Sequence, residues 1–323
     1  MTMKATLKLS VIAAALLTAN VYAKTELKVG FNEAYNSPIY HGMVKASEEL
    51  EKLSGGELTM RLYEGGQLGS VHEMLEQVSL GEIDLSMQVF GGYAQYVPEL
   101  GALETAYIVK DYAHLQQIFN SQWGLKIRAE LEDKFELKPI DSWYFGVRQT
   151  TSNRPINSYD DMKGMKLRTP NAKALLDYAR ATKAIPSPIA YAEVYLALQT
   201  NAVDGQENPI PSIEAMKFYE VQKYLAMTNH VVQDQAISIN SNSWNDLSTQ
   251  EQKWLISALN AGGQEAESRI NEKTDQYLAL FKESGVTVTY PDLAPFRAAM
   301  KPYYAALDKQ YGEGFTQTLI DAR

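Results

Sequence analysis

From Lys24 onward short apolar runs alternate with amphipathic stretches, and that alternation restricts the fold more than any other feature of the chain. Leu27-Lys-Val29-Gly-Phe31 predicts a strand. Met43, Ala46, Ser47 and Leu50 then fall at i, i+3, i+4 and i+7, the stripe of a helix with one buried face. Gly55-Gly56 stops that helix, and Leu58-Thr-Met60-Arg-Leu62-Tyr63 predicts the next strand. A second helix around Val71–Leu80 leads into Ile83-Asp-Leu85-Ser-Met87-Gln88-Val89. A β-α-β-α-β order implies a parallel sheet with helices on its faces, an α/β fold. Ligands of such sheets sit beyond the carboxyl ends of the strands. Asn32 and Glu33 lie at one such end and Gln88 at another, so these are candidate pocket residues. Asn32 and Asn36 could equally serve only to hydrogen-bond the turn.

Later segments continue the alternation. Residues 111–133 predict a helix, and Leu137 to Val147 an extended exit from the first domain. Tyr191, Val194, Tyr195 and Leu198 repeat the helical spacing, so Ala192 to Thr200 should be helical, with Tyr191 near its start. Val231 to Ile239 is extended and could carry the chain back into the first domain. Ser248-Thr-Gln-Glu251 is a capping box preceded by the apolar Leu247. From there to about Ser284 only Gly262-Gly263 interrupts a helical reading, and a bend or a break is expected there. A helix of about 36 residues would extend roughly 54 Å, enough to brace two domains. Val286 to Tyr290 predicts a late edge strand, and Leu293 to Asp321 is mainly helical.

Composition narrows the function. The chain has 323 residues, 45% hydrophobic and 21% charged, enough for two globular domains. Residues 1–23 have the pattern of a secretory signal peptide. Lys4 and Lys8 give a charged start, Leu9 to Leu17 a short apolar core, and Val21-Tyr-Ala23 a small-residue cut site. Cleavage after Ala23 and export are therefore expected. With no cysteine, disulfides, thiol catalysis and thiolate-bound zinc are excluded, and export without disulfides suits a bacterial periplasm. The formal net charge of −9 becomes −11 once Lys4 and Lys8 leave. Nucleic acid is a poor partner for so acidic a molecule.

Catalytic signatures are thin. His41, His72, His114 and His230 lack metal-ligand spacing. His72, beside Gly69-Ser70 at a helix start, is the one of the four that could approach a ligand. There is no Gly-x-Ser-x-Gly elbow, no P-loop, and no GxGxxG after the first strand. Asp204 and Glu207 could be imagined as a carboxylate pair, but nothing near them in sequence marks an acid of raised pKa. No enzyme activity, cofactor or metal is expected.

Two arginines remain. Arg148 follows Trp143-Tyr-Phe-Gly-Val147, and Arg168 ends the alternating Met165-Lys-Leu-Arg168. An arginine at the end of a half-buried strand places a rigid, always-charged fork where crevices lie, suited to a carboxylate.

Arg148-Gln-Thr-Thr-Ser-Asn-Arg154, Asp161 through Asn171, Glu193 through Pro209, and Lys217 through His230 resemble the substrate-binding proteins of TRAP transporters. The segment from 148 to 230 is most similar to the sialic-acid-binding members. The resemblance implies a two-lobed periplasmic-binding-protein fold with a long helix spanning both domains. Its first domain would take residues 24–146 plus about 231–270, and its second 147–230 plus about 271–323. It implies that Arg168 clamps a ligand carboxylate, that Arg148 and Asn208 contact the same group, that Asn32 adds a polar contact, and that Tyr191 packs on the ligand. The first-domain side departs from the sialic-acid pattern at Ser70, Val89 and Gly92, where those members carry acids and an arginine. A uronate or aldonate is therefore favoured over sialic acid. The expected partners are a small organic anion and the membrane subunits of a transporter, with the protein a monomer. A sensor of organic acids is the alternative outside transport.

Overall fold

The computed structural model describes residues 24–322, so the leader expected over residues 1–23 lies outside the described residues. Among the described residues ten strands run in chain order. They are β1 (Thr25–Phe31), β2 (Leu58–Tyr63), β3 (Leu85–Gln88), β4 (Leu137–Ser152), β5 (Lys166–Thr169), β6 (Ile185–Pro188), β7 (Gly205–Pro209), β8 (Tyr224–Ala226), β9 (Val232–Asn240) and β10 (Thr287–Thr289). The spatial order is β2-β1-β3-β9-β4-β7-β5-β6, with β8 joining β4 to β10. Leu27, Val29 and Phe31 of β1 face the core of the first lobe.

The expected parallel sheet is present in two pieces. β1 runs parallel to β2 and β3, and β5 runs parallel to β6 and β7. β9 joins them differently, antiparallel to both β3 and β4, and β4 is antiparallel to β7. The extended run expected to end at Val147 continues to Ser152. The reason is pairing: β4 matches β9 as far as Val147, and then exchanges that partner for β7 at Arg148 and β8 at Thr150. Arg148 thus stands at the changeover between the two lobes.

Residues 111–133 form two helices, Tyr112–Asn120 and Gln122–Phe135, rather than one. Ser121 separates them. It ends the first, and its Oγ accepts the Gly124 N–H at 3.3 Å to cap the second.

The long helix is continuous over Thr249–Glu283, 35 residues, and opens with the capping box at Ser248 and Glu251. No break occurs at Gly262-Gly263. A Cβ on Gly262 would lie 2.5 Å from the Gly42 carbonyl oxygen and 2.7 Å from the Trp143 ring, so these glycines allow close helix packing. Leu255, Leu259 and Ile270 join the first-lobe core around Leu27, while Tyr277 and Phe281 join Val194 and Phe218 of the second. One helix therefore braces both lobes of this α/β fold. Among the described residues no helix is long and apolar enough to cross a membrane.

Candidate functional site

The carboxyl ends of β5 and β7, the middle of β4 and the loop after β1 meet at the seam between the lobes. Arg168, near the end of β5, is only 1% exposed. Its Nε and Nη2 both donate to the Ile189 carbonyl, at 2.9 and 2.7 Å. Those two N–H groups share one edge of the guanidinium, which leaves the Nη1–Nη2 edge, and among the described residues Nη1 has no hydrogen-bond partner. Burial pushes the guanidinium down to about 10; Glu207 opposes that shift and Arg148 adds to it. It still carries its charge at neutral pH. A buried cation with an unfilled fork and no carboxylate of its own is costly unless an anion completes it.

Arg148 is placed otherwise. Its fork lies on the Glu207 carboxylate, with Nε to Oε2 and Nη2 to Oε1 at 2.8 Å. Nη2 also donates to the Glu207 carbonyl at 2.6 Å, and Nη1 donates to Gln233 Oε1. The residue that the resemblance assigns to a ligand carboxylate thus grips a protein carboxylate, and one Nη1 hydrogen is left over. His230 completes the cluster. Its Nε2 is 3.0 Å from Glu207 Oε2, its Nδ1 is 2.9 Å from Thr228 Oγ1, and Tyr178 stacks on its ring at 4.1 Å. Burial raises the Glu207 carboxyl, but Arg148 and His230 together hold it below its ordinary range. Burial, aided by Arg148 and opposed by Glu207, keeps His230 below its ordinary value and so neutral. Arg148 and Glu207 cancel each other, which makes Arg168 the uncompensated positive charge of the seam.

Around these lie the remaining candidates. Asn208 is buried on β7, its Nδ2 donating to Gln206 Oε1 at 2.6 Å, and Gln206 pairs in register with Arg168. Tyr191, half-buried, packs edge-on against Phe218 at 6.3 Å and lies within electrostatic reach of Glu33, Arg168 and Arg148. From the first lobe, Asn32 Nδ2 donates to Gln88 Oε1 at 3.0 Å, so these two residues form one polar unit. Glu33 is buried, with Oε1 accepting from Gln235 Nε2 at 2.6 Å. His72 is half-buried on the helix Val71–Leu80, its Nδ1 unpartnered among the described residues, and no hydrogen bond joins it to the others. The carboxylate pair imagined from Asp204 and Glu207 does not exist. Asp204 accepts the Lys166 backbone N–H at 2.8 Å and an Asn153 amide, while Glu207 belongs to Arg148.

Three buried polar residues were not singled out from the sequence: Gln233, Gln235 and Glu104. Gln233 links Arg148 to Glu104, its Nε2 donating to Glu104 Oε1 at 2.8 Å, and Gln235 holds Glu33. Two residues apart on β9, they share a face turned to the seam. The signal was the polar triplet Gln233-Asp-Gln235 inside a wholly buried strand whose other residues include Val232, Ala236, Ile237 and Ile239. Among the described residues no cluster of three or more histidine or acidic side chains is placed to hold a metal ion.

Comparison with known proteins identifies the family. Residues 29–310 match the family model described as DctP, bacterial extracellular solute-binding protein, family 7. The chain is 43% identical to the sialic acid-binding periplasmic protein SiaP of Vibrio cholerae, over 95% of this chain and 97% of that one. Among solved structures, a TRAP periplasmic solute-binding protein of Polaromonas bound to D-erythronate is similar with a TM-score of 0.86. It is 29% identical, and the match covers 93% of this chain and 99% of that one. A TRAP protein of Roseobacter denitrificans with bound β-D-glucuronate gives a TM-score of 0.86 at 28% identity, covering 92% and 100%.

Proposed function

Because the chain belongs to family 7 of the bacterial extracellular solute-binding proteins, the TRAP type, we propose that it captures a carboxylated sugar in the periplasm, a uronate or an aldonate. The observation that carries this reading is the buried, half-filled fork of Arg168. Its Nη1–Nη2 edge suits the two oxygens of one carboxylate, a pairing that is directional as well as strong. Asn208 and Tyr191 stand beside it, and the Asn32–Gln88 pair offers hydrogen bonds to hydroxyls from the other lobe. Arg148 supports the site mainly by fixing Glu207 and contributes at most one N–H to the ligand. The ligand is held unaltered and handed to membrane subunits, in keeping with the solute-binding role of the family.

The same reading takes the leader to be cut after Ala23, the protein to act as a monomer, and the lobes to divide at 146/147 and 230/231. The change of strand partner at Arg148 supports the first boundary. The C-terminal residues cross back, because Phe315 and Leu319 pack with first-lobe side chains such as Leu115 and Phe119.

Sialic acid is the second reading, favoured by the 43% identity to the Vibrio cholerae protein. A thermal-shift screen of the mature chain separates them, because a ligand bound only by the folded state raises Tm, by about 2.7 kcal/mol of added stability at a hundred times Kd. Uronates or aldonates should give the largest shifts. A larger shift with sialic acid would select the second reading, and a response to dicarboxylates alone would overturn both.

A further inference from the structure

Arg168 has a counterpart of opposite sign across the seam. Glu33 follows β1 in the first lobe and is 6% exposed. One oxygen takes the Gln235 amide, but among the described residues Oε2 receives no hydrogen bond, and no basic side chain figures among the influences on this carboxyl. Glu33 is among the residues around a small cavity whose walls come from both lobes: Ala34, Ser37 and Phe145 on one side, Tyr191 and Ser212 on the other. The other buried acids differ in their surroundings: Glu104 Oε2 is likewise unpartnered among the described residues but feels Arg148, and Asp234 lies on the opposite face of β9 from Gln233 and Gln235. Glu207 has Arg148 and His230, Glu104 Oε1 takes the Gln233 amide, and Asp234 accepts a hydrogen bond from Ser142.

The seam therefore presents an unfilled cationic fork and, in Glu33, a buried carboxyl with no basic neighbour, with Tyr191 within reach of both. A ligand with only a carboxylate would complete the first and leave the second buried without a counter-charge. We propose that the ligand is a sugar acid carrying a protonated amine, its carboxylate on Arg168 and its ammonium on Glu33. This rests on the reading of Arg168 as a carboxylate clamp. Without the amine, burial pushes the Glu33 carboxyl up to about 7, and desolvation is the largest cause of that shift. An ammonium group supplies both the missing hydrogen bond and the missing charge, and a charge-assisted bond is about twice as strong as a neutral one.

Calorimetry on the full mature chain tests this with matched pairs: aldonates against amino-aldonates, and uronates against amino-uronates. At least one amino acid sugar should bind about tenfold or more tighter than its hydroxyl partner. Glu33→Gln, which keeps the size and the Gln235 contact, should abolish that preference. If plain sugar acids bind and no amine improves on them, or if Glu33→Gln weakens both members of a pair equally, the inference is wrong and the carboxylate clamp stands. If no sugar acid of either kind binds, the clamp itself is wrong and the inference falls with it.

Discussion

At the level of single residues, Arg148 and Arg168 show that two similar arginines can have different duties. Both were visible in the sequence as charges closing apolar strands, and both are buried. What separates them is Glu207, 59 positions from Arg148 and invisible as its partner until β4 and β7 are laid side by side. Truncating one member of a buried charged pair costs on the order of 2–5 kcal/mol. Arg168→Ala should accordingly weaken ligand affinity by roughly 30- to several-thousand-fold. Arg168→Lys should also bind poorly, because a point charge cannot hold the Ile189 carbonyl and a carboxylate through a planar fork. Titration calorimetry on both variants checks this, and affinity equal to wild type in either would remove Arg168 from the site. Local chemistry of this kind was legible because strand alternation exposes it. The unfilled fork was not, since it depends on a backbone carbonyl in a loop 21 residues away.

Among the elements, the long helix was legible in extent, while the purpose of its paired glycines was not. Its capping box and length could be taken from the sequence, because both are local. Gly262-Gly263 suggested a bend because glycine weakens an isolated helix, yet what these positions serve is a neighbour distant in sequence. Gly42 and Gly262 face each other so closely that each would-be Cβ meets the other's carbonyl oxygen, at 2.6 and 2.5 Å. Two effects oppose each other in Gly262→Ala. Helix propensity would favour alanine by about 1 kcal/mol, while overpacking costs roughly 1–3 kcal/mol. Here the obstacle is backbone, which cannot rotate away, and the Trp143 ring stands 2.7 Å off on the other side. Overpacking should win. The variant is expected to melt several degrees lower than wild type in a thermal scan; a higher Tm would mean that the helices can separate without loss.

For the molecule as a whole, the burial of Arg168 has a mechanical consequence. With the guanidinium 1% exposed, no carboxylate can reach the Nη1–Nη2 edge while the lobes stay as they are. Ligand entry requires them to part, and the places where they can do so are few. β4 and β9 pair continuously through the first lobe, with register shifts near Asp141 and Gly146, and the long helix crosses beside them. Irregular pairing next to the changeover at Arg148 provides backbone that can absorb a rotation, since hinges are a few residues at element ends. The helix limits that rotation by its unbroken length. Ligand binding should therefore shift a population of separated lobes toward the packed arrangement, to the extent that its contacts exist only there. Small-angle scattering of the mature chain should show a radius of gyration that falls when a binding sugar acid is added. In Arg168→Ala the same concentration should leave the radius near its ligand-free value, because the contact that favours closure is gone. Identical radii for wild type with and without saturating ligand would mean that the lobes do not move, and that the carboxylate reaches its arginine by a route other than their separation.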